Sequence, residues 1–113
     1  MTDSPAETLK AKERLIFYLR GVIPAFPGDP AKVPPHIAYF VEIVERLLTM
    51  QPAELGDRSI ITGSPEECIA SLKKVEAAGI EEVICYFNFA AYPHAETMKS
   101  MDRFVRDVAP HFK

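Results

Sequence analysis

The sequence predicts an α/β fold built around a βαβα unit with two parallel strands. Two observations lead to this prediction. The apolar runs at residues 59–63 and 82–87 have the length and composition of buried strands. Residues 65–78 between them read as an amphipathic helix, and a helix that joins two strands makes them parallel neighbours in a sheet.

The start of the helix over residues 65–78 is marked by three residues. Ser64 can cap the free backbone amides, Pro65 suits the first helical position, and Glu67 can complete a capping box with Ser64. A second helix is predicted after the strands, over residues 94–108. These elements together make up the βαβα unit.

Two more helices are predicted ahead of this unit, over residues 5–21 and 34–50. The later helix has one apolar face: Ile37, Phe40, Val41, Val44, Leu47 and Leu48. The earlier helix is apolar all round at residues 16–19, so we expect it to be buried or covered by a partner. The proline-rich residues 25–33 predict an ordered connection, and residues 1–113 are expected to form a single domain.

The charge, the apolar stretches and the cysteines of the chain predict which partners, compartment and sites to expect. The net charge of −3 comes without a basic stripe, so nucleic acid is not expected as a partner. No apolar stretch reaches membrane-spanning length and no signal peptide is recognisable, so we expect a cytoplasmic protein that is not bound to a membrane. Cys68 and Cys85 lack neighbouring metal ligands, which predicts two buried, reduced thiols and no metal site.

Three motifs resemble the C-terminal end of bacterial luciferase-like flavin-dependent monooxygenases. In chain order they are Gly-Ser-Pro-Glu-Glu at 63–67, Ala-Gly-Ile-Glu-Glu-Val at 78–83 and Asp-Val-Ala-Pro-His-Phe at 107–112. Their order and spacing resemble that family over residues 59–113, and more loosely over residues 34–58.

The resemblance implies a partial TIM-barrel-like unit, in which residues 59–63 match the seventh strand and residues 82–87 the eighth. The chain has no room for the other six strands, which supply most flavin contacts in the family. The implied function is therefore a subunit or accessory piece of a flavin-dependent oxidoreductase, with FMN as its cofactor and without catalysis by the chain alone. The implied partner is a second copy, or a second subunit that carries the missing strands.

Candidate site residues follow the two predicted strands, where barrel chemistry is found. Asn88, Tyr92 and His94 are candidates to line a substrate or flavin pocket, although a turn and the first turn of a helix also explain them. Gly63 and Ser64 are weaker candidates for a cofactor phosphate at a helix start, because helix capping already accounts for Ser64. No catalytic residue is identified.

Other functions stay open. The chain can instead be a non-catalytic small α/β binding or assembly module descended from the same family, or an unrelated small α/β domain. Whether it is an enzyme is not decided by the sequence.

Overall fold

The structure is a computed structural model that describes residues 1–25, 30–89 and 91–112. Within these ranges the α-helices are α1 (Pro5–Val22), α2 (Tyr39–Thr49), α3 (Pro65–Ala77) and α4 (His94–Arg103). Short 3₁₀ turns lie at Ile23–Ala25, Pro30–Lys32, Pro35–Ile37, Pro52–Glu54 and Ala109–His111, and α4 continues into a π-helical turn at Phe104–Val108. Part of the predicted proline-rich connection, residues 26–29, lies outside the described residues.

The predicted α/β fold is wrong. The described residues contain no β-strand, and neither residues 59–63 nor residues 82–87 belong to a sheet, so the fold there is all-α. A strand forms only when its backbone groups pair with a neighbouring strand. Residues 80–89 run without a turn or bend, but no backbone hydrogen bond joins residues 80–88 to any other described residue. The βαβα barrel-like unit is therefore absent from the described part of the chain.

Helix α3 begins with the capping box that the sequence predicts. The Ser64 hydroxyl accepts a hydrogen bond from the Glu67 amide at 3.3 Å, and the Glu67 carboxylate accepts one from the Ser64 amide at 2.8 Å. Gly79 has a φ of 83° just after the helix, a left-handed conformation that glycine adopts without a steric cost.

Helices α1 and α2 are joined through the side chain of Arg20. Its guanidinium donates hydrogen bonds to the carbonyl oxygens of Leu47 at 2.9 Å, Leu48 at 3.3 Å and Met50 at 3.0 Å. These carbonyls lie at the C-terminal end of α2, where a helix leaves its last acceptors unpaired and favours a cation. Arg20 therefore fixes the end of one helix to the side of another.

The hydrophobic core is small and lies between α3 and the π-helical turn. Its buried centre consists of Cys68, Leu72 and Val108, against which Met1, Ile61, Ile69, Phe104 and Phe112 pack. Helix α2 has no buried residue. The radius of gyration is 16.1 Å, whereas a compact chain of this length has about 13 Å. Much apolar surface therefore stays outside the core.

The apolar stretch of α1 is only partly covered. Ile16 is buried, but the neighbouring Phe17 is 73% exposed. Among the described helices, none combines the length and the apolar character needed to cross a bilayer.

Candidate functional site

The described residues form a cleft of about 680 Å³. It is lined by residues of α1, by residues 59–62, by residues 83–87 with Phe89, and by residues of α4 and the π-helical turn. Cys68 and Leu72 of α3, both buried, also line it. Both of the segments that the sequence predicts to be paired strands therefore contribute to the lining.

Residues 80–89, which we call the apolar segment, contribute residues 83–87 and Phe89 to the lining of this cleft. Ile84 is 92% exposed and Tyr86 is 67% exposed, while Phe87 and Phe89 are half-buried. The Phe87 ring packs edge-on against Phe104 with the ring centroids 5.4 Å apart. This aromatic contact holds the apolar segment to the end of α4 and leaves its middle exposed.

Of the three predicted pocket residues, Tyr92 lines the cleft, whereas Asn88 and His94 are exposed and do not line it. The Tyr92 amide donates a hydrogen bond to the Phe89 carbonyl at 3.2 Å. This turn contains Ala91 with a φ of 50°, in the left-handed region. The turn directs Tyr92 into the cleft.

Sequence reasoning missed two arginines at the cleft. The Arg14 guanidinium lies over the Tyr92 ring, 5.6 Å from its centroid. Arg103 is largely buried and forms an ion pair with Asp3. Both arginines reach the cleft through contacts between residues far apart in the chain, for which the sequence carries no local signal.

The N-terminal residues Met1, Thr2 and Asp3 also line the cleft. The Met1 amino group donates a hydrogen bond to the Ser100 hydroxyl at 2.7 Å, and the Thr2 amide donates one to the Gly63 carbonyl at 2.9 Å. Burial lowers the pKa of the Met1 amino group. These bonds join the start of α1 to the start of α3 and to α4.

A buried hydroxyl in the cleft wall lacks a partner. Thr97 is buried, lines the cleft, and its Oγ1 has no hydrogen-bond partner among the described residues. An unsatisfied buried polar group costs about 1–3 kcal/mol. A ligand in the cleft with a polar atom near Thr97 would remove this cost.

The predicted phosphate site at Gly63 and Ser64 already holds an anionic group of the chain itself. The Glu67 carboxylate accepts a hydrogen bond from the Ser64 amide. It also fills the space next to the Cα atom of Gly63, so that a Cβ atom added there would collide with it. A phosphate at this helix start would have to displace Glu67. The geometry of the described residues therefore favours capping at this position.

The two cysteines differ in exposure. Cys68 is buried as predicted, and burial raises the pKa of its thiol. The prediction for Cys85 is wrong, because this residue is exposed on the apolar segment, where the strand expected to bury it does not form. The described residues contain no group of three or more metal-ligating side chains.

Comparison with known proteins gives no match, so any functional conclusion rests on the geometry of the chain itself. No protein-family model, no curated protein and no solved structure matches this chain.

Proposed function

We propose that the chain is a non-catalytic assembly module that binds another polypeptide through the apolar segment. The observation behind this proposal is the exposure of that segment together with its unpaired backbone. Its residues are rich in β-forming types, and no backbone hydrogen bond joins residues 80–88 to the rest of the described chain. Addition of a strand from a partner would satisfy these groups.

The apolar side chains of the segment give the same proposal an energetic basis. Complete burial of one large apolar side chain contributes about 1.5–3 kcal/mol, and Ile84 and Tyr86 are both mostly exposed. The small core and the radius of gyration of 16.1 Å also indicate a chain with apolar surface left for a partner. Association therefore has both hydrogen bonds and apolar burial available.

Hydrogen exchange tests the proposal directly. We expect the amides of residues 81–88 to exchange rapidly in dilute protein and to become protected as the concentration rises or a partner is added. Ile84→Lys should abolish this protection, because a charge on an unpaired strand opposes pairing. Phe17→Lys is the matched control on α1, and protection that depends on Phe17 instead of Ile84 would contradict the proposal.

A second candidate function is flavin binding in the cleft, as a piece of a luciferase-like oxidoreductase. Three features support it. The cleft volume of about 680 Å³ lies in the range of small-molecule sites, Tyr92 offers an aromatic ring, and Thr97 has an unpaired hydroxyl. The flavin would supply the redox chemistry and the chain would supply shape and polar contacts. The residues at Gly63 and Ser64 do not fit its phosphate, because Glu67 occupies that position.

The cytoplasm is the compartment that fits this proposal. Cys68 and Cys85 are both free thiols, and an exposed thiol such as Cys85 persists most readily in a reducing environment.

A further inference from the structure

We infer that the partner of the apolar segment is a second copy of this chain, paired antiparallel with Cys85 facing Cys85. This inference rests on the proposed assembly function and names its partner and register. It follows from the order of charged, β-branched and aromatic residues along residues 80–89.

The charges of the segment select the antiparallel direction. Glu81 and Glu82 lie at one end of the segment, and residues 83–89 carry no charge. A parallel pair in register would place each glutamate opposite its own copy, which is destabilising. Antiparallel pairing moves the two glutamates of each copy to the uncharged end of the other copy.

Symmetry then restricts the register. In an antiparallel pair, residues that face each other have their side chains on the same side of the ribbon, and the two-fold axis keeps each residue on the same side as its copy. One residue must therefore face its own copy, and the axis passes between these two; we call this residue the one on the axis. With Cys85 on the axis, Val83 faces Phe87 and Ile84 faces Tyr86. Both are pairs of a β-branched residue with an aromatic residue, which are favourable across strands.

The same register gives one glutamate a hydrogen-bonding partner. With Cys85 on the axis, Glu82 faces Asn88, whose amide can donate to the carboxylate. A neighbouring register has Ile84 on the axis and places Glu82 opposite Tyr86 and Glu81 opposite Phe87. That register separates the glutamates from Asn88, so it is less favourable.

The rest of each copy packs against one face of the two-stranded ribbon that the pair would form. An isolated two-stranded ribbon is only marginally stable in water, whereas packing against a helix stabilises it. Phe87 already packs on Phe104 at the end of α4. In the symmetric pair both copies supply this contact on the same face of the ribbon, and Ile84 and Tyr86 cover each other on the opposite face.

Oxidation with diamide tests the register. Diamide takes two electrons and two protons from a pair of thiols as their S–S bond forms. Facing residues in an antiparallel pair have Cα atoms about 4.5 or 5.5 Å apart, within the range of about 4.4–6.8 Å that a disulfide spans. We expect the native chain to form a cross-linked dimer of twice 12.6 kDa, and Cys85→Ser to form none, because Cys68 is buried.

Two variants move the thiol along the segment as matched controls. The variants are Ile84→Cys and Tyr86→Cys, each combined with Cys85→Ser. In each of them the new cysteine and its own copy lie diagonally across the two strands, about 7–8 Å apart. Each alone should therefore cross-link roughly tenfold more slowly than the native chain. An equal mixture of the two variants should cross-link rapidly, because residue 84 of one copy then faces residue 86 of the other.

The outcomes separate the register from the assembly function. A dimer in which Ile84→Cys cross-links faster than native Cys85 would overturn the inferred register while the proposed function stands. A monomer by light scattering whose amides at residues 81–88 exchange rapidly at all concentrations would overturn the second copy as partner, while the proposed function stands. Protection that depends on Phe17 instead of Ile84 would overturn both. Rapid cross-linking through Cys85 and of the mixed variants supports both.

Discussion

The edge of the Phe87 ring meets the Phe104 ring with the two centroids 5.4 Å apart and the planes 74° from parallel. This contact joins the apolar segment to the π-helical turn that follows α4. Phe104 also packs on the buried centre formed by Cys68, Leu72 and Val108. The segment is thus connected through one aromatic pair to the small core of the chain.

Replacing Phe87 with alanine should loosen the apolar segment and lower the free energy of unfolding by about 1–2 kcal/mol. An edge-to-face pair contributes about 0.5–1.5 kcal/mol beyond its buried area, and Phe87 is only half-buried. Urea unfolding in dilute protein measures this loss.

Val105→Ala is the control for this prediction. Val105 lies next to Phe104 in the chain but is mostly exposed, so its truncation should change the free energy of unfolding by less than about 0.5 kcal/mol. Equal losses for the two variants would show that the Phe87–Phe104 contact has no special part in the stability of the chain.

Ser64→Ala should lower the free energy of unfolding by about 1 kcal/mol, because the Glu67 amide loses its acceptor. Denaturant midpoints with and without FMN measure the effect. Unchanged stability without FMN, together with weaker FMN binding, would contradict the capping role and favour a phosphate site.

The helices were predictable because their signals are local. Ser64, Pro65 and Glu67 lie within four residues of one another, and the structure places α3 at Pro65–Ala77 where the sequence predicts a helix over 65–78. The same applies to α4, although Phe104–Val108 widens into a π-helical turn that no residue pattern marks. Capping and periodicity act within a few residues, so they can be read from the chain.

The strands were not predictable because a strand depends on a distant partner. Residues 82–87 have β-forming side chains, but their backbone pairs with no other described residue. The missing sheet also changes the surroundings of the residues predicted near it. Cys85 is exposed because no sheet covers it, and Asn88 and His94 do not line the cleft, whereas Arg14 reaches Tyr92 by a long-range contact.

The two thiols should differ strongly in reactivity. Cys85 is exposed, whereas Cys68 is buried and burial raises the pKa of its thiol, so less of the reactive thiolate forms at a given pH. Brief treatment with iodoacetamide followed by peptide mass spectrometry should modify Cys85 first. Modification of Cys68 should require denaturant, and equal rates for both thiols in the native chain would contradict the buried position of Cys68.

The Asp57 carboxyl should titrate below its usual value of 3.8, because it accepts a hydrogen bond from the Lys74 ammonium and that bond lowers its pKa. Any stabilisation of the folded chain by this pair is fully present at pH values above 3.8. It is lost as the pH falls through the lower pKa of the folded state, because the Asp57 carboxyl of the unfolded chain binds its proton at a higher pH. Carbon-detected NMR titration should show that Lys74→Met raises the pKa of Asp57, whereas Lys73→Met leaves it unchanged.

The isolated chain should bind free FMN weakly or not at all. Tyr92 offers an aromatic ring in the cleft, but the predicted phosphate position at Ser64 is taken by the Glu67 carboxylate. We therefore expect flavin fluorescence to stay unquenched at low micromolar protein. Quenching that Tyr92→Ala abolishes and His94→Ala preserves would instead favour the second candidate function, because only Tyr92 of these two lines the cleft. Quenching that His94→Ala also abolished would place the flavin outside the cleft, at the exposed start of α4.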